Sequence, residues 1–175
     1  MTIRKSLTVM AALLLAAGTL SAAEAGRKSA TAELKDAKGQ TVGQAKFKEG
    51  KNAVQLSVKV TNLPAGQHAI HVHAVGKCEA PDFKTAGGHF NPENKKHGIM
   101  NPEGHHAGDM LNFNIGSSGK GTYKSTLPGV TLAGSGANSL FHEGGTALVI
   151  HEKADDLKTD PAGNAGARIA CGPIQ

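Results

Sequence analysis

The sequence predicts an all-β domain, an antiparallel sandwich or flattened barrel of about eight short strands with two long loops. The clearest strand lies at residues 54–60, where Val54, Leu56, Val58 and Val60 alternate with polar residues, as in a strand with one buried face. No segment after residue 25 has the period of an amphipathic helix. The 23 glycines of the chain fit the many tight turns that such a fold needs.

Further short apolar runs, separated by turns rich in Gly, Pro, Asn and Asp, complete the predicted set of strands. Besides 54–60, strands are expected at residues 30–34, 42–47, 69–74, 110–115, 123–127, 146–151 and 167–171. The segments at 75–108 and 152–166 are irregular and polar. An irregular segment as long as 75–108 inside a compact domain is normally functional or disordered, and here metal and a disulfide would supply the order that apolar burial cannot.

Residues 1–25 are predicted to be a signal peptide that is removed. Arg4 and Lys5 give a positive start, residues 7–20 are apolar, and small residues follow. The apolar run is shorter than the roughly 20 residues that cross a bilayer, which argues against a membrane anchor. We therefore expect a single domain at 26–175, periplasmic or secreted, without stable insertion in a membrane.

The chain has two cysteines, Cys78 and Cys171. An even pair in an exported protein predicts a disulfide, and the alternative is two free thiols that bind metal. The disulfide would close a loop of about 93 residues and contribute roughly 4–5 kcal/mol to stability.

The charge and aromatic content of the chain argue against a nucleic-acid partner. The net charge is +5 before removal of the signal peptide, and there are five Phe, one Tyr and no Trp. The sequence has no basic run and little aromatic surface on which bases could stack. A small anionic ligand fits this composition better than a polymer does.

Seven of the nine histidines lie between His68 and Asp109, which is a composition typical of a metal site. His71 and His73 lie two residues apart in a predicted strand, so they face the same side, about 6.6 Å apart. The intervening Val72 then faces the core.

A second set of candidate ligands follows in the irregular segment. His89, His97 and Asp109, together with either His105 or His106, could form a closed tetrahedral site suited to a structural zinc ion. The spacing of the residues leaves the choice between His105 and His106 open.

His151 ends the apolar strand at 146–151, and by itself it fits an ordinary strand-end histidine. Asp155 and Asp156 follow closely, and such carboxylates can orient imidazoles that bind metal.

Six motifs in order along the chain together resemble the copper,zinc superoxide dismutase family. They are HVH at 71–73, GGHFNP at 87–92, KHG at 96–98, HAGD at 106–109, VIHEKADDL at 149–157 and GNAGARIACG at 163–172. The resemblance covers essentially all of residues 26–175. The segment from HVH to GGHFNP, residues 71–92, is similar to the bacterial, secreted branch of the family. It implies an eight-stranded antiparallel Greek-key β-barrel.

The resemblance also implies one copper and one zinc ion per chain, with His89 bridging them. Copper would be bound by His71, His73, His89 and His151, and zinc by His89, His97, His106 and Asp109. This implied assignment selects His106 over His105.

The implied activity is conversion of two superoxide radicals to O2 and H2O2, as antioxidant defence outside the cytoplasm. Arg168 and His89 would be the catalytic residues, with Arg168 binding the superoxide anion. Asp155 would link His71 to His97. The alternative is an exported copper- and zinc-binding protein of the same fold without turnover.

Some features fall outside the resemblance. The loop at 158–162 is short where long-loop members of the family carry more charge, so Lys77 and Lys153 are only candidates for guiding superoxide. His68 and His142 match no ligand position, and we interpret them as structural or surface residues. The sequence fits either a monomer or a homodimer.

Overall fold

A computed structural model describes residues 26–175, and the predicted signal peptide lies outside the described residues. The described chain forms one antiparallel sheet of nine strands. In chain order these are β1 (Ser29–Asp36), β2 (Thr41–Glu49), β3 (Ala53–Val60), β4 (Gly66–His68), β5 (Ile70–His73), β6 (Phe113–Ile115), β7 (Gly121–Pro128), β8 (Ala147–His151) and β9 (Arg168–Pro173).

The order of the strands rolls the sheet into a nearly closed barrel. The order is β4-β6-β7-β3-β2-β1-β9-β8-β5, so β4 and β5 are its two ends. These two strands are consecutive in the chain, with only Ala69 between them. One chain segment therefore pairs with β6 at one end and with β8 at the other, which closes the barrel. The connections β3–β4, β5–β6 and β7–β8 join strands that are not neighbours, as a Greek key requires.

The predicted fold class is confirmed, with nine strands rather than eight. The extra strand is β4, because the segment that was predicted as one strand from residue 69 begins earlier and is interrupted. Ala69 leaves the ladder: its N–H donates to the Lys153 carbonyl (2.8 Å) and its own carbonyl accepts from the His151 N–H (2.9 Å). This interruption ties the closing segment to the loop after β8.

The barrel core follows from the alternation of side chains along the strands. In β3 the residues Val54, Leu56, Val58 and Val60 are at most 3% exposed, while their polar neighbours face outward. Each such aliphatic side chain contributes about 1.5–3 kcal/mol when it is removed from water. The inner faces of the other strands fill the same core.

Strand β8 is buried on both faces. Leu148 and Ile150 face the barrel, while Val149 lies against a second apolar cluster that contains Phe83 and Ala86. This cluster comes from the loop after β5, which includes a short 3-10 helix at Lys84–Ala86. The loop is therefore held on the outside of the barrel by a small apolar contact with β8.

A disulfide attaches this loop to the last strand. Cys78 and Cys171 are bonded, with their Cα atoms 5.6 Å apart and a sequence separation of 93 residues. The predicted disulfide is therefore confirmed, and a loop of this length corresponds to about 4–5 kcal/mol of stabilisation.

Strand β6 is shorter than the prediction for residues 110–115. It begins only at Phe113, because Asn112 turns its side chain to the backbone of Asp155 instead of continuing the ladder. In the described part of the chain, no helix has the length and apolar character needed to cross a membrane.

Candidate metal centre

The centre lies on the outer face of β5 and β8, under the two long loops. On β5, Ile70 and Val72 are in the core, so His71 and His73 project to the other side, as the sequence predicts. His151 arrives from β8, which pairs with β5.

The first long loop is fastened along β5 by backbone hydrogen bonds. The Val72 N–H donates to the Gly108 carbonyl (2.9 Å), and the Phe90 N–H donates to the Val72 carbonyl (2.8 Å). A backbone bridge also joins His73 and His89. Gly108 lies so close to Val72 that a Cβ atom would overlap its carbonyl oxygen. These contacts carry His89 to the two histidines of β5.

Four imidazoles converge into what we call the four-histidine group. It consists of His71, His73, His89 and His151, whose ligand nitrogens all lie within 4.8 Å of one another. The Nε2 atoms of His73 and His151 are 3.3 Å apart. The ring of His73 is oriented by donation from Nδ1 to the Gly87 carbonyl (2.9 Å), which leaves its Nε2 free to bind a metal ion.

A second cluster, which we call the aspartate group, consists of His89, His97, His106 and Asp109 within the same limit of 4.8 Å. The Asp109 carboxylate lies 2.9 Å from Nδ1 of His89, 3.1 Å from Nδ1 of His97 and 3.3 Å from Nδ1 of His106. His105 is outside both clusters, with its Nδ1 2.8 Å from the His106 carbonyl. The structure therefore brings His106, not His105, into the aspartate group.

His89 belongs to both clusters. Its Nδ1 contacts Asp109, while its Nε2 is buried without a hydrogen-bond partner. The two nitrogens of one ring thus serve two separate sets of ligands.

The unpartnered nitrogens test whether metal ions fit here. Within residues 26–175, Nδ1 of His71 and Nε2 of His89 are buried and make no hydrogen bond, and the protein atom facing buried Nδ1 of His97 is an Asp109 carboxylate oxygen 3.1 Å away. Buried polar atoms are normally hydrogen-bonded, and ligation would satisfy the two unpartnered nitrogens and place an ion between Nδ1 of His97 and Asp109. Four imidazoles suit copper, and three imidazoles with one carboxylate suit zinc. The residues present therefore fit both ions.

The carboxylate of Asp155 connects the two clusters from behind. It lies 2.8 Å from Nε2 of His71 and 3.0 Å from Nε2 of His97, and it accepts the N–H of Leu157 at 2.6 Å. Each histidine therefore carries its proton on Nε2, which leaves Nδ1 as the metal-binding atom.

Two further residues hold Asp155 in place, and the sequence prediction did not include them. The side-chain amide of Asn112 donates to the Asp155 carbonyl and accepts its N–H, both at 2.8 Å. Gly163, with φ of +60°, packs so closely that a Cβ atom would overlap the Asp155 carboxylate. A polar residue inside the predicted strand at 110–115 was the one local signal for Asn112.

Burial keeps most of the four-histidine group neutral, the state that binds metal. Burial, together with electrostatic repulsion from neighbouring histidines, lowers the pKa of His89 to about 4 and that of His151 to about 3. Burial also holds the pKa of His73 well below its usual range.

In the aspartate group, hydrogen bonds between histidines and carboxylates outweigh the effect of burial on the pKa values. Burial alone would lower the pKa of His97, but hydrogen bonds to Asp109 and Asp155 raise it to about 9. Burial alone would raise the pKa of both carboxyls, but their hydrogen bonds to histidines hold it below the usual range. Without metal, these carboxylates remain ionised among imidazole donors.

Arg168 stands beside the four-histidine group in an open cleft of about 530 Å³ that is also lined by His73, His89 and His151. Its guanidinium donates to the carbonyls of Phe83 (2.6 Å) and Gly87 (2.7 Å). This anchoring uses part of its donor fork and holds a positive charge next to the cluster.

The candidate steering lysines do not line this cleft. Lys77 is exposed, and the stem of Lys153 lies beside Gly166 at the edge of the cleft. Among the described residues that line it, the charged ones other than histidine are Arg168 and Asp160.

His68 and His142, which like His105 lie outside the ligand sets, have structural contacts. His68 is 3% exposed, with Nδ1 2.8 Å from the His151 carbonyl and Nε2 3.0 Å from the Pro64 carbonyl. His142 is half-buried and stacks on Phe90, with 5.4 Å between ring centroids.

Known proteins share this architecture. A family model described as copper/zinc superoxide dismutase matches residues 41–174. Two Cu-Zn superoxide dismutases of Aquifex aeolicus are each 50% identical, over 145 and 147 residues, covering 82% and 83% of this chain and 86% of each relative. The crystal structure of a SOD-like protein from Bacillus subtilis is 39% identical, with a TM-score of 0.79, and the match covers 83% of this chain and 97% of that one. The chain therefore belongs to the copper/zinc superoxide dismutase family.

Proposed function

We propose that the protein is a superoxide dismutase, which converts two superoxide anions and two protons to one O2 and one H2O2. Copper is bound by the four-histidine group and zinc by the aspartate group. The observation that carries the proposal is the position of His89, whose two ring nitrogens face the two ligand sets. When bound, copper supplies exchange of one electron between its two oxidation states, and zinc supplies a fixed positive charge without redox chemistry.

The surrounding residues fix the ligands before any metal arrives. Asp155 sets the tautomers of His71 and His97, and the Gly87 carbonyl orients His73. The site is therefore preorganised, which lowers the cost of adapting to the metal's preferred geometry.

Arg168 binds the substrate anion. Two of its N–H groups are held by backbone carbonyls, and the remaining donors can face the cleft. Because its burial is partial and its charge permanent, it attracts a small anion to the face of the four-histidine group.

His89 is the residue that can handle a proton within the centre. Formation of H2O2 consumes two protons, and Nε2 of His89 is a buried nitrogen without a protein hydrogen-bond partner. This atom can hold a proton and release it to the substrate, while Nδ1 stays anchored in the aspartate group.

We further propose that the protein works outside the cytoplasm, in the periplasm or as a secreted protein, in antioxidant defence. The predicted signal peptide and the disulfide support this location. Sequencing of the amino terminus of the protein recovered from its cell tests it: an intact residue 1 on the folded protein would contradict export by cleavage.

Reconstitution with copper and zinc, followed by measurement of superoxide decay, tests the activity. We expect one of each ion per chain and decay far faster than with the metal-free protein. A protein that binds both ions without accelerating decay is the non-catalytic metal-binding alternative. Arg168→Ala should slow turnover and weaken its dependence on salt while leaving both ions bound.

A further inference from the structure

Strands β2, β3 and β7 present a broad basic surface to solvent, which we call the lysine face. Its charged members are four exposed lysines: Lys46, Lys48, Lys59 and Lys124. The register places Lys46 beside Ser57 and Ser57 beside Lys124, so these two lysines lie two strands apart, about 10 Å between backbones. Lys48 lies about 7 Å along β2 from Lys46, and Lys59 lies about 7 Å along β3 from Ser57.

The four lysines have no carboxylate partner. Among the described residues, the lysines within 4.0 Å of a carboxylate are Lys35, Lys84, Lys95 and Lys96, none of which belongs to the lysine face. The spacing of the four charges is close to the Debye length of about 8 Å at physiological salt, so their potentials overlap. The face therefore carries a local excess of positive charge, with no carboxylate within 4.0 Å of its four lysines.

The other side chains of the face are small and able to hydrogen-bond. Gln55, Ser57, Thr122 and Thr126 lie between the lysines and line shallow depressions of about 400 and 270 Å³. The large aliphatic residues of these strands point into the barrel. The face thus offers charge and hydrogen bonds, without an apolar side chain that could insert into a partner.

The lysine face points away from the metal centre. In the nearly closed strand order, β3 is four places from β8 in one direction and four places from β5 in the other. A partner bound to this face would leave the cleft at Arg168 open to solvent.

We propose that the lysine face docks the protein on a membrane surface rich in anionic phospholipids. Its lysines are spread in two dimensions over adjacent strands, which matches a fluid layer of headgroups better than a linear polymer. Lipids can move laterally until a phosphate lies under each ammonium group. Binding is electrostatic, reversible and salt-sensitive, because each lysine near an anionic leaflet strengthens partitioning by about fivefold.

Sedimentation with lipid vesicles tests the proposal, using the metal-loaded chain from residue 26, which contains the nine described strands and the disulfide. We expect binding to vesicles of phosphatidylglycerol at low salt, release at 0.5 M NaCl, and no binding to phosphatidylcholine. Replacing all four face lysines by Gln should weaken partitioning by on the order of 100-fold or more. The matched control replaces four exposed lysines elsewhere by Gln: Lys38, Lys77, Lys153 and Lys158.

The control variant changes the net charge equally, so it separates the face from total charge. The proposal is overturned if both variants lose binding equally, if the wild-type protein does not sediment with anionic vesicles, or if it binds soluble polyphosphate but not vesicles. Thermal unfolding of both variants verifies that they are folded before partitioning is compared.

Discussion

Substitution of Gly163 by alanine probes how the centre is held together. Gly163 lies against the Asp155 carboxylate, and a Cβ atom there would overlap that carboxylate and lie 2.8 Å from Nε2 of His97. We expect Gly163→Ala to push Asp155 away from His97 and to weaken zinc binding in particular. The matched control is Gly134→Ala, since Gly134 has nearly the same φ (+62° against +60°) but nothing within 4 Å of its would-be Cβ.

The expected difference in the free energy of unfolding follows from comparing the two variants. Both place alanine in the left-handed region at about 1–2 kcal/mol, partly offset by a less flexible unfolded chain. Only Gly163→Ala also disturbs the buried hydrogen bond from His97 to Asp155, and a bond to a charged group is worth about 1.5–3 kcal/mol. We therefore expect Gly163→Ala to be about 2 kcal/mol less stable than the control without metal.

Zinc affinity provides the more specific measurement. Loss of a partner that orients a metal ligand costs about 10–100-fold in affinity. Competition with a chelator should show this loss for Gly163→Ala and near wild-type affinity for Gly134→Ala. Equal zinc affinity and equal urea midpoints for the two variants would refute the role assigned to Asp155.

Three further predictions test other parts of the structure. Asn112→Ala should lower zinc affinity by up to about 10-fold, because the Asp155 backbone loses its two hydrogen bonds to the Asn112 side chain. The control Asn114→Ala, on the exposed side of β6, should leave zinc affinity unchanged, and competition with a chelator compares the two variants. Cys78→Ser should lower the melting temperature by about 10–20 °C in scanning calorimetry, and a shift under about 3 °C would contradict the loop-closure argument. Without metal, the free energy of unfolding should decrease as the pH is lowered below about 6.5. The pKa values of His89 and His151 are lowered in the folded protein, so these histidines take up protons in the unfolded chain first, and the stability present above about pH 6.5 is lost as the pH falls toward 4 and 3. Between pH 7 and pH 5, His89 and His151 each lower the free energy of unfolding by about 2 kcal/mol, while His97, whose pKa is raised, adds about 1 kcal/mol. An unchanged urea midpoint between these pH values would contradict this reasoning.

The strands were largely predictable because their signal is local. The alternation from Val54 to Val60 reports one buried face directly, and the structure has a strand there. The break at Ala69 was not predictable, because its backbone bonds to Lys153 and His151, which are distant in sequence. The number of strands therefore differed although the fold class did not.

The candidate site shows the same division between local and distant information. The pattern of His71 and His73 on one side of a strand follows from the period of two. Their meeting with His151 depends on pairing between β5 and β8, which no local pattern reports. Gly163 is the first residue of the GNAGARIACG motif, but the motif does not report its role, which arises from the carboxylate packed against it.

The central claim is that one imidazole, His89, serves both metal sites. Parallel titration of His89→Ala with Cu(II) and Zn(II), with superoxide decay measured on the same samples, tests it most directly. The account predicts that both affinities fall, since each site loses one of its four ligands, and that most of the activity is lost. Wild-type affinity at either site, or unchanged superoxide decay, would contradict the claim.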